Sequence, residues 1–223
     1  MISIIAKSMN RSERYRYILD YFRLHVGEST TELQFSSPFQ LLCATLLSAQ
    51  CTDKRVNQIT PALFQTYPSA KEMAAAEEED ILFYIKSVSY PNAKAKHLLA
   101  MANRIHYEFH DEIPNTLEEL SRLPGVGRKT ANVLLAVWYG QPAMPVDTHV
   151  YRVSRRLGLV PSSANTPQKV ENYLVKSIPS DDVAHAHHWL LLHGRYICTS
   201  QKPKCISCPF DNICPKLLDN SRL

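Results

Sequence analysis

Four cysteines near the C-terminal end of the chain have a spacing that could bind one metal centre. Cys198, Cys205, Cys208 and Cys214 form the pattern C-x6-C-x2-C-x5-C. Structural zinc sites typically show two C-x2-C pairs, and this segment has one, whereas a cubane iron–sulfur cluster tolerates uneven spacing. The pattern therefore favours a cluster, with zinc and disulfide bonds as the alternatives.

A glycine-containing turn next to two basic residues could bind phosphate. The segment Leu123-Pro-Gly-Val-Gly127 is followed directly by Arg128 and Lys129. Two glycines permit a tight turn between helices, and the exposed N–H groups at the start of the second helix attract anions. The pattern predicts a helix-hairpin-helix. The alternative for the turn is a plain helix corner that binds no ligand. Lys129 could be a nucleophile in catalysis, and the alternative is that it only binds phosphate.

A single carboxylate follows this hairpin. Asp147, in the segment Pro145-Val-Asp-Thr-His149, is the only acidic residue between Arg122 and Val160. As the N-cap of a helix that begins at Thr148 it would stay ionised and could accept a proton or face a developing cation. The alternative is a helix cap with no chemical role.

Charge is segregated along the chain and points to a polyanionic partner. The 223 residues carry a net charge of +4, but residues 121–160 hold six basic residues against one acidic residue. That stretch has the footprint of a phosphate-binding surface, whereas the acidic run at 71–80 fits a solvated helix face. Neither a secretory signal nor a run of 18 apolar residues occurs, so we expect a cytoplasmic protein with reduced thiols.

Apolar residues recur three and four positions apart along nearly the whole chain, so the sequence predicts an all-α protein. Ser37 and Pro38 are typical of the start of a helix, and the helix after Thr52 is expected to break at Pro61. Cys43 and Cys51 are interpreted as packing residues. Further helices are expected near 77–87, 92–109, 116–122, 128–140, 147–157, 167–177 and 183–197.

Several motifs taken together resemble the endonuclease III family of helix-hairpin-helix DNA glycosylases. They are Leu-Pro-Gly-Val-Gly-Arg-Lys-Thr-Ala-Asn at 123–132, Val-Asp-Thr-His at 146–149, His-Gly-Arg at 193–195 and the four-cysteine tail. The resemblance implies a six-helix barrel domain with the hairpin at 31–141 and an iron–sulfur cluster domain made of 1–30 and 142–223. It also implies a DNA groove between the two domains.

The resemblance further implies a bifunctional enzyme of base excision repair. Such an enzyme removes oxidised pyrimidines from duplex DNA and cleaves the abasic site by β-elimination through a lysine Schiff base. By position, Lys129 is then the nucleophile and Asp147 the carboxylate that assists it. The implied cofactor is a 4Fe-4S cluster on the four cysteines, and the implied partner of the monomeric enzyme is DNA with a damaged pyrimidine or an abasic site.

DNA contacts are implied at residues that match the family by position. Gln50 would enter the gap left by the extruded nucleotide. A common family pattern has glycine and an apolar residue before Asn-x-Lys, but here Tyr90 and Pro91 precede Asn92, so we expect Tyr90 to stack as the partner wedge. The full set of expected DNA contacts is Gln50, Tyr90, Gly125, Val126, Gly127, Arg128, His149, Arg152, Lys202 and Lys204.

Two other kinds of protein fit parts of this pattern. A monofunctional adenine- or thymine-mismatch glycosylase of the same superfamily would usually lack a lysine at position 129. A non-catalytic iron–sulfur DNA-binding module would use the hairpin for phosphate alone, and pairing of Lys129 with Asp147 argues against it.

Overall fold

A computed structural model describes residues 9–217 and divides them into two compact units. The first unit, Thr31–Gly140, is called the hairpin unit below, and the second, 9–30 with 141–217, the cysteine unit. Helices and no strands occur in this range, so the predicted all-α class is confirmed. Residues 1–8 and 218–223, which the prediction assigns to the cluster domain, lie outside the described residues.

The hairpin unit is built on an apolar helix. Helix α2 begins after Ser37, whose hydroxyl accepts the N–H of Gln40, and has Pro38 in its first turn, as predicted. Apart from Pro38 and Gln40, every residue of this helix is buried, which is typical of a helix packed on all sides. The helices of the unit are α2 Pro38–Leu47, α3 Asp53–Thr66, α4 Ala70–Ala74, α5 Glu78–Ile85, α6 Pro91–Phe109, α7 Leu117–Leu120 and α8 Arg128–Val137.

The predicted break at Pro61 is wrong, because α3 continues through it. An interior proline costs about 3 kcal/mol through a lost hydrogen bond and a steric clash. Val56 and Leu63, on either side of Pro61, are fully buried, and each such side chain contributes about 1.5–3 kcal/mol. Burial on both sides of the proline therefore offsets its cost.

The cysteine unit combines a helix from the N-terminal part of the chain with the C-terminal segment. Phe22 stacks on Trp189 with ring centroids 5.7 Å apart and meets Phe210 edge-on at 5.2 Å. These aromatic contacts join distant parts of the chain in one core. Its helices are α1 Arg11–His25, α9 Thr148–Arg156, α10 Pro167–Ser177 and α11 Ser180–Tyr196, followed by a 3₁₀ turn at Cys205–Ser207.

Within the described range, none of the helices has both the length and the apolar character that crossing a bilayer requires.

Candidate active site

The predicted hairpin is present between α7 and α8. The N–H of Val126 donates to the carbonyl of Leu123 at 3.0 Å, and both of these side chains are buried. Gly125 has φ +75°, and a Cβ atom there would lie 2.8 Å from Leu46 Cδ1 and 2.9 Å from His97 Cβ. The turn therefore needs glycine at 125 for its backbone conformation and for its close approach to the core.

Lys129 lies in the first turn of α8, which begins after Gly127 as its N-cap. Its side chain is exposed, while the helix buries every residue from Ala131 to Ala136. The helix is thus anchored through its later turns, and its first turn presents a primary amine beside the N–H groups of the hairpin. This arrangement can hold a phosphate oxygen and place a nucleophile near the attached sugar.

Gln50 and Tyr90 are brought together by a hydrogen bond between their loops. The hydroxyl of Ser89 donates to the carbonyl of Gln50 at 2.6 Å. Gln50 and Tyr90 are both exposed, and both have left-handed backbone conformations, with φ 55° and 54°. Such conformations are unfavourable for residues with a side chain and occur often at functional sites.

Asp147 is the N-cap of α9, as predicted. Its Oδ1 accepts the N–H of Val150 at 2.8 Å, and its Oδ2 lies 3.4 Å from Nδ1 of His149. The side chain is only 17% exposed. Asp147 therefore places a carboxylate at the start of α9, where it can stabilise a nearby cation.

A glycine that the motif alone did not explain allows α9 to pack closely on α11. A Cβ atom at Gly194 would lie 2.8 Å from His149 Cβ and 3.0 Å from Val153 Cγ2. The His-Gly-Arg motif at 193–195 therefore has a packing role beside the start of α9. It positions the helix whose cap is Asp147.

The four predicted metal ligands line one pocket in the cysteine unit. Its other walls include the apolar residues Leu157, Ile197 and Pro203. Two donors approach the cysteine sulfurs: Arg156 Nη1 lies 3.6 Å from Cys198 Sγ, and the N–H of Lys216 lies 3.4 Å from Cys214 Sγ. In addition, Nε2 of His193 lies 3.7 Å from Cys208 Sγ.

The four thiols that line this pocket match the donor number of a cubane cluster, in which each cysteine would bind a separate iron. Among residues 9–217, no group of three or more metal-binding side chains is arranged around a single ion position. Burial, and to a smaller extent the neighbouring cysteines, raise the pKa of the Cys208 thiol to about 11. A cationic iron core would supply the positive charge that four neighbouring thiolates need.

Two arginines of the basic stretch fasten the cysteine segment to α9. Arg152 donates to the carbonyls of Gly194 at 2.8 Å and Cys198 at 3.1 Å, and Arg156 donates to that of Thr199 at 2.6 Å. Part of the basic charge that the sequence analysis assigned to phosphate binding therefore stabilises the fold. Contact of Arg152 with DNA stays a prediction.

The structure groups the predicted site residues into separate sets. The hairpin, Lys129, Gln50 and Tyr90 belong to the hairpin unit. Asp147 belongs to the cysteine unit, together with His149, the four cysteines and the exposed Lys202 and Lys204. Sequence reasoning missed the linking role of Ser89, because a serine in a loop has no distinguishing pattern.

Comparison with known proteins identifies the family. Residues 43–180 match the model of the HhH-GPD superfamily of base excision DNA repair proteins. Endonuclease III of Rickettsia felis is 44% identical over 88% of this chain and 92% of its own length, and that of Escherichia coli K12 is 42% identical over 92% and 96%. The chain belongs to the endonuclease III family.

Solved structures agree with this family assignment. A trapped covalent intermediate of endonuclease III with DNA, described as an estranged-adenine complex, superposes with a TM-score of 0.86 at 38% identity and covers 93% of this chain and 97% of that one. A thermostable thymine-DNA glycosylase, 20% identical with a TM-score of 0.80, shares the fold. As a member of the endonuclease III family, the chain is a base excision repair enzyme, a bifunctional DNA glycosylase and abasic-site lyase that binds duplex DNA.

Proposed function

We propose that Lys129 is the nucleophile with which this enzyme excises oxidised pyrimidines and cleaves the resulting abasic site. The observation that carries the proposal is the exposed lysine in the first turn of α8, directly after the hairpin. Hairpin N–H groups there bind a DNA phosphate without reading the sequence. Arg128, which shares this turn, is proposed to contribute to the same contact.

Lys129 attacks C1′ of the extruded nucleotide. The bond from its nitrogen to C1′ forms while the bond from C1′ to the base breaks. The base leaves with the electron pair of that bond, and the proton that the amine loses neutralises the departing base. The carboxylate of Asp147, at the start of α9, stabilises the positive charge that develops on the sugar. Opening of the sugar gives a Schiff base, an electron sink that allows loss of a C2′ proton and departure of the 3′ phosphate.

Recognition requires that the damaged nucleotide leave the helix stack, which costs a few kcal/mol. Gln50 and Tyr90 project from neighbouring loops and are proposed to fill the space left behind. Stacking of an aromatic ring on a base contributes about 1–3 kcal/mol, enough to offset much of this cost. If Tyr90→Ala leaves the single-turnover excision rate unchanged, Tyr90 is not the wedge.

The cysteine unit is proposed as the 4Fe-4S cluster domain and the hairpin unit as the six-helix barrel domain. Cys198, Cys205, Cys208 and Cys214 would hold the cluster, which when bound ties their segment into one conformation. The segment then presents Lys202 and Lys204, both exposed, to phosphates with little loss of entropy. We further propose that the enzyme acts in the cytoplasm, as a monomer.

Borohydride trapping on a duplex with one thymine glycol tests the proposed chemistry. The native protein is compared with Lys129→Gln, and Lys96→Gln, at an exposed position of α6, serves as a control for lost charge. We expect a covalent complex with the native protein and the control and none with Lys129→Gln. An abasic product without any trapped species would mean a monofunctional glycosylase, and no excision across a panel of lesions would mean a binding module.

A further inference from the structure

A lysine that the sequence analysis did not single out is buried in the hairpin unit. Lys94, in the first turn of α6, is only 5% exposed. Its Nζ donates to the carbonyl of Leu47 at 2.8 Å and to that of Ala49 at 2.7 Å. Lysines are rarely buried, because removing an ammonium group from water is costly. Carbonyls at the negative end of α2 offset part of this cost, and burial still lowers the pKa of Lys94 below its ordinary value.

These carbonyls lie three positions and one position before Gln50, so Lys94 holds the start of the Gln50 loop. Two further bonds complete the connection. The hydroxyl of Ser89 holds the carbonyl of Gln50 itself at 2.6 Å, and the backbone N–H of Lys94 donates to the carbonyl of Tyr90 at 3.1 Å. One residue therefore contacts the segments that carry both exposed side chains.

Backbone strain explains why such a connection is needed. Gln50 and Tyr90 both have a left-handed φ, a conformation that a residue with a side chain leaves unless its surroundings hold it. The N–H of Cys51 also donates to the carbonyl of Ser48 at 3.0 Å, which closes the turn around Gln50. Without Lys94, the carbonyls of Leu47 and Ala49 lose their side-chain donor, and the entry to the turn keeps only its local bonds to α2.

We propose that Lys94 is a positioning residue that, with Ser89, joins Gln50 and Tyr90 into one rigid two-pronged wedge. The inference rests on the proposed function, in which these two side chains fill the space left by the extruded nucleotide. A preorganised wedge does not have to be ordered during extrusion, and ordering one or two backbone residues corresponds to roughly a ten- to hundredfold change in rate. Lys94 acts through Gln50 and touches no substrate.

The test compares Lys94→Met, which removes the ammonium group and keeps an unbranched apolar side chain one atom shorter, with Lys96→Met, at an exposed position of the same helix. Single-turnover excision from a thymine glycol duplex is expected to fall roughly ten- to hundredfold in Lys94→Met and less than twofold in the control. Borohydride trapping on a single-stranded abasic oligonucleotide, where no base pair must be opened, is expected to change less than twofold. Equal losses in the two assays would indicate a general structural defect and overturn the proposal.

A cycle of variants shows whether Lys94 acts through Gln50. Gln50→Ala is expected to lower duplex excision in the native background and to have little further effect beside Lys94→Met. Ser89→Ala, which removes one bond and leaves Lys94 in place, is expected to give a smaller loss than Lys94→Met. Fully additive losses for Gln50 and Lys94 would overturn the inference.

Amide hydrogen exchange separates this inference from the proposed function, because it needs no activity. Lys94→Met is expected to accelerate exchange in the peptide that covers residues 48–52 at least tenfold, while peptides of α8 keep the native rate. If exchange accelerates but the native protein excises no lesion, the positioning role of Lys94 is supported and the proposed function is wrong. If exchange is unchanged, the positioning role of Lys94 is wrong, whatever the activity of the enzyme.

Discussion

Replacement of Asp147 separates its role as a helix cap from its role in catalysis. The carboxylate accepts the N–H of Val150 at 2.8 Å and lies at the positive end of α9. Asp147→Asn keeps a side-chain oxygen for this hydrogen bond and removes the charge. Asp147→Ala removes both. The pair therefore changes the cap and the charge independently.

The two variants are expected to differ in stability and agree in rate. Loss of the charge–dipole interaction costs about 0.3–1 kcal/mol of unfolding free energy in both, and loss of the cap costs Asp147→Ala about 1 kcal/mol more. The excision rate is expected to fall about 10²–10³-fold in both, because each lacks the charge that stabilises the cationic sugar. The difference in stability between the two variants thus reports the capping hydrogen bond, and the loss of rate that they share reports the charge.

Urea unfolding measures the free energy, and single-turnover excision from a thymine glycol duplex measures the rate. Both are compared with those of the native protein at the same pH and salt concentration, since the charge–dipole interaction is screened by ions. If Asp147→Asn excises within threefold of the native rate, Asp147 is only a cap. A rate that falls in proportion to stability across the two variants would equally refute the catalytic role.

Three further predictions concern the hairpin, a buried histidine and the cysteines. In urea unfolding, Gly125→Ala should lower the unfolding free energy by about 1–3 kcal/mol. Gly127→Ala, which has open space around its Cβ, should change it by about 0.5 kcal/mol or less. Equal losses in the two variants would contradict the geometry of the hairpin. Burial lowers the pKa of His188 from 6.5 to about 4, so its contribution is present above pH 6.5 and lost as the pH falls towards 4. Between pH 7 and pH 4, the unfolding free energy measured in urea should therefore fall by roughly 3 kcal/mol more in the native protein than in His188→Gln. Parallel pH dependences in the two proteins would refute this role of His188. Cys214→Ser should reduce bound iron, as measured by metal analysis and visible absorption, and native iron content in this variant would exclude it as a ligand.

Local signals predicted those parts of the fold that depend on neighbouring residues. Ser37 with Pro38, and Asp147 before Thr148, are start signals that act within one helical turn, and both helices begin where expected. The short helix α4 was missed, because five residues give too little periodicity to detect. The predicted helix break at Pro61 was wrong because the cost of the proline is a local effect, whereas the burial that offsets it comes from tertiary packing.

In the candidate site too, features that depend on neighbouring residues were predicted and features that depend on distant contacts were not. Lys129 and the cysteines carry their signal in residue type and spacing. The burial of Lys94 depends on carbonyls 45 and 47 positions earlier in the chain, and no local pattern records such a contact. Arg152 and Arg156 were interpreted by charge alone, but the carbonyls they bind belong to residues more than 40 positions away.

The composition of the cysteine unit from two distant chain segments has a consequence during synthesis. Helix α1 needs Trp189 and Phe210 to cover Phe22, and these follow it by more than 160 residues. At about 5–20 residues per second, a ribosome takes roughly 9–38 s to deliver both of them after Phe22. The apolar face of α1 stays without these native partners during that interval. A nascent chain is therefore expected to be open to aggregation and proteolysis at α1 until the segment with Phe210 has emerged.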